Sequence, residues 1–290
     1  MHADELHTDV GLVRVLLEGQ FPHWAALPIE RVFSSGTVNA LYRLGEDMVV
    51  RLPRMDWGIG AVERELRWLP RLAPFLPVEI PVPLAKGAPA EGYPWEWGIY
   101  PWLEGETPAA GRGFLARELA RFVRALHAVQ PADGPPAGRG AALARWDEPT
   151  RAALVELQGV VDTDAAADIW DAALGTPDWS APPVWIHGDL MPANLLVRDG
   201  TLTGVIDWGG FGVGDPAVDL MPAWNLLDAG GRDDFRAELR VDDETWMRGR
   251  GWALWTGLLA LPYYVETNPE LAENARYRIG EVLADTALDR

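Results

Sequence analysis

Four polar side chains that suit phosphate chemistry lie close together in one stretch of the chain: His187, Asp189, Asn194 and Asp207. The apolar runs VWI, LLV and GVI frame them, which predicts a strand, a tight polar loop, a second strand, a turn and a third strand. In phosphoryl transfer, an aspartate orients or deprotonates the acceptor hydroxyl, while an asparagine and a second aspartate hold Mg²⁺ against the nucleotide phosphates. The order and spacing therefore predict Asp189 as the catalytic residue and Asn194 and Asp207 as Mg²⁺ ligands.

The alternative interpretation of this stretch is ordinary turn chemistry, because Asp, Asn, Gly and Pro are all common in turns. One such residue alone would indicate only a turn. The four together, framed by three apolar runs, favour a site. No Walker A sequence occurs in the chain, which excludes a P-loop nucleotide-binding fold.

Composition limits the classes of function. The 290 residues, 48% of them hydrophobic, suit one large domain or two lobes. The lack of cysteine excludes disulfides, thiolate catalysis and Cys-ligated zinc. A net charge of −18 opposes binding to the backbone of nucleic acids and is compatible with cationic ligands. No apolar run resembles a signal peptide or spans a bilayer, so we expect a cytoplasmic protein without nucleic-acid or membrane partners; its oligomeric state stays open.

The N-terminal part predicts a β-rich lobe over residues 1–103. Apolar residues at helical spacing indicate helices over 6–20 and 60–73, and Pro70 indicates a kink or an early end in the second. Alternating apolar and polar residues indicate strands in IERVFSSG, VNALYRLG, DMVVRLPR, LAKG and WEWGIYPWL. These elements predict a five-stranded antiparallel sheet with a helix.

The rest of the chain, residues 104–290, predicts a mostly helical lobe that carries the polar stretch on hairpins. Helical periodicity runs over 114–129, 149–158, 164–174, 214–228, 232–239, 243–265 and 269–288. The expected fold class is therefore α+β.

The segments HGDLMPAN (187–194), IDW (206–208) and GDPAVDL (214–220) resemble the catalytic, metal-binding and following motifs of the aminoglycoside phosphotransferase family. The resemblance extends over essentially the whole chain. That family has the protein-kinase-like bilobal fold and includes macrolide phosphotransferases and choline kinases. The resemblance implies a nucleotide-binding lobe over 1–103, and a helical lobe with the catalytic loop and acceptor site over 104–290.

The resemblance also implies a reaction: ATP- or GTP-dependent transfer of the γ-phosphoryl group to a hydroxyl of a small molecule, with Mg²⁺ as cofactor. The expected acceptor is an aminoglycoside-type antibiotic, which is hydroxylated and cationic. Macrolide, sugar and amino-alcohol kinases on the same fold remain alternatives, and so does a catalytically silent nucleotide-binding scaffold.

Three further residues of the helical lobe take supporting roles from the resemblance. His187 and Asp219 would support the catalytic loop. Asp215 would cap the helix that begins after it, since Asp before Pro is a good start signal for a helix.

In the N-terminal lobe, Arg51 stands on a strand where kinases place the lysine that holds the nucleotide phosphates. Glu65 is its expected partner, with Glu63 as the alternative; they are two residues apart on a helix, so only one can face the sheet. The loop with Ser35, Gly36 and Thr37 would cover the phosphates.

The base of the nucleotide would meet the last strand of this lobe. The carbonyl of Pro101 and the N–H of Leu103 would hydrogen-bond its edge, and Tyr100 would line the back of its pocket. The size of the Tyr100 ring leads to the hypothesis that guanine is preferred over adenine.

The acceptor would lie beside Asp189, near the helices that follow Asp219. Aromatic and acidic residues there suit a polyhydroxylated or cationic ligand, with Trp224, Asp228, Tyr263 and Glu266 as the candidates. The spacing of Trp252 and Trp255 is more typical of a helix core than of a pocket.

Overall fold

A computed structural model describes residues 6–32, 39–131 and 133–285. The chain divides into two compact units: one consists of Met1–Pro74 and Glu79–Glu104, and the other of Phe75–Val78 and Gly105–Arg290. The sequence-based boundary after residue 103 falls one residue before the end of the first unit. No helix in the described ranges is long and apolar enough to cross a membrane.

The first unit is built on a five-stranded antiparallel sheet, as predicted. Its strands are β1 (Ile29–Val32), β2 (Asn39–Leu44), β3 (Met48–Pro53), β4 (Ala85–Gly87) and β5 (Trp97–Pro101), in the order β1-β2-β3-β5-β4. Because side chains alternate across a strand, β3 sends Val50 and Leu52 to one face and Val49 and Arg51 to the other. The register places Arg51 opposite Gly98 and Val49 opposite Tyr100.

One helix covers each face of this sheet. Helix α1 (Val10–Gln20) packs Val13, Leu16 and Leu17 into the core cluster that contains Val50 and Leu52. It begins later than predicted because Asp9 caps it, accepting a hydrogen bond from Leu12 N at 2.8 Å.

Helix α2 (Ala61–Leu72) lies over the other face, where Val62 packs with Val49 and Tyr100. It continues through Pro70, which falls in the last turn, so no following turn depends on the backbone there. The early end considered at this proline is therefore wrong. Glu65 is among the buried residues of this helix and points toward the sheet.

The second unit carries two small antiparallel pairs. Strands β7 (Leu195–Arg198) and β8 (Thr201–Val205) form the hairpin expected before Asp207. Strand β6 (Val184–Ile186) pairs with β9 (Gly212–Gly214), which the sequence did not predict because it has no apolar alternation. A side chain at Gly212 would meet the backbone of Pro135 and Ala137 at 2.6 Å, so glycine is required for this close approach.

The rest of the second unit is helical, as predicted. Its α-helices in the described ranges are α3 (Ala116–Ala128), α4 (Asp147–Glu156), α5 (Thr163–Gly175), α6 (Pro222–Asn225), α7 (Ala229–Leu239), α8 (Asp243–Tyr264) and α9 (Pro269–Ala284). Helix α8 is buried along most of its length and packs on α4, α5 and α9. The single helix expected over 214–228 is instead a 3-10 turn (Pro216–Leu220) followed by α6, because Pro222 starts a new helix.

Candidate active site

Asp219 anchors the loop that follows β6. Its side chain is fully buried; Oδ2 accepts from the backbone N–H of His187 at 3.0 Å, and Oδ1 accepts from that of Gly188 at 2.9 Å. The ring of His127 on α3 adds a third contact, with Nε2 3.2 Å from Oδ2. One carboxylate therefore fixes two successive backbone groups of the loop.

The ring of His187 is fully buried and joins two parts of the site. Its Nε2 lies 3.1 Å from the carbonyl oxygen of Ile206, and its Nδ1 accepts from the backbone N–H of Asp189 at 3.2 Å. Both bonds form together when Nε2 carries the hydrogen and Nδ1 does not. These two contacts tie the loop after β6 to the backbone just before Asp207.

Gly188 is the turning point of the loop. Its φ of 79° lies in the left-handed region, and an added Cβ would stand 3.3 Å from the carbonyl oxygen of Gly210. Glycine reaches this conformation at little cost, whereas most residues do not. The turn brings the next side chain, Asp189, out of the core, where it keeps 33% of its surface exposed.

Asp189 and Asn194 are tied to each other. The Nδ2 of Asn194 donates to the backbone carbonyl of Asp189 at 2.8 Å and lies 3.4 Å from its Oδ2. Asn225 on α6 donates to the carbonyl of Leu190 at 2.7 Å and holds the loop from below. Asn194 is buried, and its Nδ2 is the atom that faces Asp189.

Asn194 and Asp207 are brought next to each other by the backbone. The N–H of Ile206 donates to the carbonyl of Asn194 at 2.9 Å, and Asp207 follows with a φ of 59°. A carboxylate and an amide oxygen suit Mg²⁺, which usually takes one or two protein oxygens and completes its shell with phosphate oxygens and water. No group of three or more His, Asp or Glu side chains in the described ranges is arranged for a metal ion. The donor set therefore fits Mg²⁺ bound together with a nucleotide.

Two arginines that the sequence did not single out lie close to Asp189. Arg139, from the Gly- and Pro-rich loop before α4, donates through Nη1 to Asp189 Oδ1 and, at 2.9 Å, to the carbonyl of Gly188. Arg278 on α9 interacts electrostatically with both Asp189 and Arg139. Nothing in the loop sequence around Arg139 or in the helical pattern around Arg278 distinguishes them from surface arginines.

The charges of this group shift one another's pKa values. Burial alone would raise the pKa of the Asp189 carboxyl, but the charges of Arg139 foremost and of Arg278 outweigh it and hold that pKa below its usual value. Burial lowers the pKa of Arg278 to about 10, with Asp189 opposing and Arg139 adding to the effect. Asp189 is therefore ionised near neutral pH, as an acceptor of a hydroxyl proton must be.

The first unit has its own polar cluster. Arg51 Nη1 lies 3.3 Å from Glu65 Oε1, Glu65 is fully buried, and the Tyr100 hydroxyl donates to Glu65 Oε2. The Arg51 guanidinium lies over the Tyr100 ring, 4.6 Å from its centroid. Of the two candidate acids, Glu65 thus pairs with Arg51, while Glu63 pairs with Lys86.

Other nucleotide candidates occupy different positions. Pro101 ends β5 opposite Met48, and Leu103 follows two residues later, both partly exposed. Tyr100 is 2% exposed, packed on α2 and bonded to Glu65. Ser35, Gly36 and Thr37 lie outside the described residues.

The acceptor candidates beyond the loop have different surroundings. Trp224 is fully buried and its indole N–H donates to Asp285 at 2.9 Å, so it is a core residue, and its assignment to the substrate is wrong. Asp228 caps α7 by accepting from Gly231 N at 2.8 Å. Tyr263 and Glu266 are exposed at the C-terminal end of α8. Trp252 and Trp255 are buried, as their spacing predicts.

Comparison with known proteins identifies one family. A family model described as the phosphotransferase enzyme family matches residues 30–258. An aminoglycoside 3'-phosphotransferase from Escherichia coli is 32% identical over 123 residues, which cover 38% of this chain and 42% of that protein. The chain spans about half the length of the curated relatives it matches.

Solved structures match over nearly the whole chain. The GDP complex of wild-type aminoglycoside 2'-phosphotransferase-IIIa superposes with a TM-score of 0.73 at 19% identity, covering 95% of this chain and 99% of that one. Macrolide 2'-phosphotransferase MphH from Brachybacterium faecium superposes with a TM-score of 0.59 at 25% identity, covering 93% and 97%. The protein-kinase-like α+β fold predicted from the sequence is confirmed by these matches.

Proposed function

The chain belongs to the phosphotransferase enzyme family, and from this premise we propose that it moves the γ-phosphoryl group of ATP or GTP to a hydroxyl of a small molecule. The observation that carries the proposal is the arrangement of Asp189, Asn194 and Asp207 on one rigid loop-and-hairpin, held by His187 and Asp219. A kinase needs these three functions: an ionised carboxylate for the acceptor, and two oxygen ligands for a metal.

In the proposed reaction, Asp189 orients the acceptor hydroxyl and takes its proton. The hydroxyl oxygen forms a bond to the γ-phosphorus while the bond to the β-phosphate oxygen breaks, and the nucleoside diphosphate leaves. Asn194 and Asp207 would hold Mg²⁺, which neutralises charge on the phosphates when bound. Arg51, aligned by Glu65, is the proposed phosphate contact of the first unit, with Ser35, Gly36 and Thr37 as further candidates.

The nature of the acceptor is a finer part of the proposal. Relatives whose names include aminoglycoside or macrolide support a hydroxylated antibiotic-type acceptor, and the sequence favours an aminoglycoside. The preference between ATP and GTP as phosphoryl donor remains open. The residues proposed to contact the purine base are Tyr100, Pro101 and Leu103. A cytoplasmic location, where both nucleotides are available, stays a prediction.

Replacing the proposed base tests the function. Asp189→Asn keeps the size of the side chain but removes the proton acceptor, so we expect kcat to fall by about 10²- to 10⁴-fold. Affinity for Mg²⁺-nucleotide should stay close to that of the wild type, because Asn194 and Asp207 remain. Transfer should be followed with ATP and with GTP against a panel of hydroxylated compounds.

Asp199→Asn provides the matched control. Asp199 lies exposed in the turn between β7 and β8 with a φ of 51°, a conformation that asparagine also adopts readily. The Asp199→Asn variant should transfer the phosphoryl group at the wild-type rate. Near wild-type transfer by Asp189→Asn would remove Asp189 from the mechanism, and wild-type protein inactive with the whole panel would favour a scaffold without transfer activity.

A further inference from the structure

Arg139 lies between Asp189, the proposed base, and the ring of Trp255 in the second unit. Its Nη1 bonds to Asp189, and its guanidinium carbon lies 5.7 Å from the centroid of the Trp255 ring. The Arg139 and Asp189 side chains are 32% and 33% exposed, so a small molecule can reach both. The cation therefore lies where an acceptor beside Asp189 must bind.

A second cation, Arg278, interacts electrostatically with both Asp189 and Arg139. Arg278 is only 6% exposed; it donates through Nη1 to Thr256 Oγ1 at 2.6 Å and through Nη2 to Asn274 Oδ1 at 2.7 Å. Its Nε–H is buried and has no hydrogen-bond partner within the described ranges. Leaving such a donor unpaired is costly, so pairing it with an acceptor atom of a ligand would be favourable.

Indole groups add donors to the same region. The Trp255 ring lies 4.5 Å from that of Trp146, and the Nε1–H groups of both are buried and unpaired in the described part of the chain. Trp255 is followed directly by Thr256, which holds Arg278. The aromatic pair near Arg139 therefore holds two further donors without a partner in the described residues.

The balance of charge indicates what this face binds. Arg139 contacts the Asp189 carboxylate and Arg278 interacts with it electrostatically, so these three side chains together carry a positive excess. An ammonium group would be repelled there, whereas an anion would compensate the excess and accept from the unpaired donors. We propose that the acceptor carries a negatively charged group, a carboxylate or a phosphate, held by Arg139 and Arg278, and this rests on the phosphotransferase function proposed above.

This assignment gives Arg139 a role in timing. In the structure Arg139 forms an ion pair with Asp189, the group that must receive the acceptor's proton. An anionic substituent on the acceptor competes for the same guanidinium and releases the carboxylate for the hydroxyl. An acceptor without an anion leaves Asp189 paired. The site would thus select hydroxylated acids over the polycationic aminoglycosides expected from the sequence.

Binding to the whole protein tests the proposal without requiring turnover. Four compounds that share a sugar ring differ in one substituent: glucuronate, glucose 6-phosphate, glucose and glucosamine; kanamycin is a polycation for comparison. Tryptophan fluorescence reports binding, because Trp146 and Trp255 lie at the site. We expect at least one of the two anions to bind about tenfold or more tightly than glucose and glucosamine, and the better one identifies the anion.

The variants are Arg139→Gln and Arg278→Gln, with Arg276→Gln as the matched control on α9, where Arg276 is exposed. We expect the first two to weaken binding of the preferred anion by about tenfold to a hundredfold and to leave glucose unaffected. The control should bind as the wild type does. Because Arg278 is buried, its replacement could also disturb folding, and circular dichroism checks that the variants are folded. Arg278→Lys keeps the positive charge but removes the planar guanidinium, so it tests whether that group is needed for binding.

Transfer measured with the same compounds separates the two proposals. Anion binding that depends on Arg139, without transfer to any compound, supports the anion site and contradicts the phosphotransferase function. Transfer in which glucosamine or kanamycin is preferred supports the function and overturns the anion site. The anion site is also overturned if neither anion binds more tightly than glucose, or if Arg139→Gln leaves anion binding unchanged.

Discussion

At the scale of single residues, Glu65 is the most constrained group of the first unit. It is fully buried, and it contacts the guanidinium of Arg51 and accepts a hydrogen bond from the Tyr100 hydroxyl. A buried carboxylate is tolerated only while it is paired and hydrogen-bonded. The pair therefore serves two purposes: it stabilises the packing of α2 on the sheet, and it orients the guanidinium that we propose for the phosphates.

Removing the cation from this pair should destabilise the protein. In Arg51→Met, the Glu65 carboxylate keeps only the Tyr100 hydroxyl of these two partners, and breaking a buried pair from one side costs about 3–5 kcal/mol. Urea unfolding should show that loss in the free energy of unfolding. Arg67→Met on the exposed side of α2 is the control, expected within about 0.5 kcal/mol of the wild type. If Arg51→Met changed the free energy of unfolding as little as the control does, the Arg51–Glu65 pair would contribute little to stability.

At the scale of elements, α8 is the helix on which the second unit is assembled. Asp242 caps its N-terminus, with Oδ1 accepting from the backbone N–H of Thr245 at 2.6 Å. Farther along, Gly257 lets α9 approach closely, since an added Cβ would stand 2.9 Å from Ile279 Cγ1. Through Thr256 and Trp255, the same helix supports the donors beside Asp189. The N-terminal cap of α8 therefore helps to stabilise the helix that carries Trp255 and Thr256.

Loss of the α8 cap should lower stability in a pH-dependent way. Asp242→Ala should cost about 1 kcal/mol at neutral pH. Hydrogen bonds from the side chain and the backbone of Thr245 lower the pKa of the Asp242 carboxyl in the folded protein. A lowered pKa stabilises the fold above the unfolded value of about 4, and this part is lost as the pH falls through the folded pKa.

Thermal unfolding from neutral to acidic pH measures this effect. The difference between wild type and Asp242→Ala should be greatest at neutral pH and should shrink on acidification. Glu244→Ala, which removes an exposed charge from the same first turn, should show only a small difference. A difference for Asp242→Ala that grows toward acidic pH would contradict the assignment.

At the scale of the whole molecule, charge is the dominant property. The chain has 43 acidic residues against 25 basic ones, and Lys86 is its one lysine. Such an excess of one sign keeps a protein dispersed but destabilises the compact state by self-repulsion. The positive charges of Arg139 and Arg278 near Asp189 are thus a local exception to the negative charge of the chain, and they cannot be recognised from the net charge.

Salt should therefore stabilise this protein. Raising ionic strength from low salt to about 0.15 M shortens the Debye length to about 8 Å and screens the repulsion, so the unfolding midpoint should rise. Differential scanning calorimetry measures it, and repeating the series nearer the sequence pI of about 4.6 should give a smaller rise, because the net charge is smaller there. A midpoint that falls with salt at neutral pH would show that attractive pairs outweigh the repulsion.

The sequence by itself determined the fold class and the core of the candidate site. Apolar alternation marks the five strands because each lies half-buried on a sheet. Short-range spacing predicts the proposed roles of Asp189, Asn194 and Asp207, whereas those of His187 and Asp219 rest on the family resemblance. Such spacing is reliable because loop and hairpin are local structures, in which neighbours in sequence are neighbours in space. The family and its fold could be reached from these segments alone.

Only the tertiary structure decided which distant residues surround the proposed base. Arg139 is 50 residues from Asp189 in the chain, and Arg278 comes from the last helix. Nothing in their local sequence separates them from surface arginines, because their role depends on the packing of α9 on α8 and on a Gly- and Pro-rich loop. The same packing placed Trp224 in the core and removed it from the substrate. Long-range packing, unlike periodicity, leaves no pattern in a single sequence, and here it sets the charge that an acceptor meets.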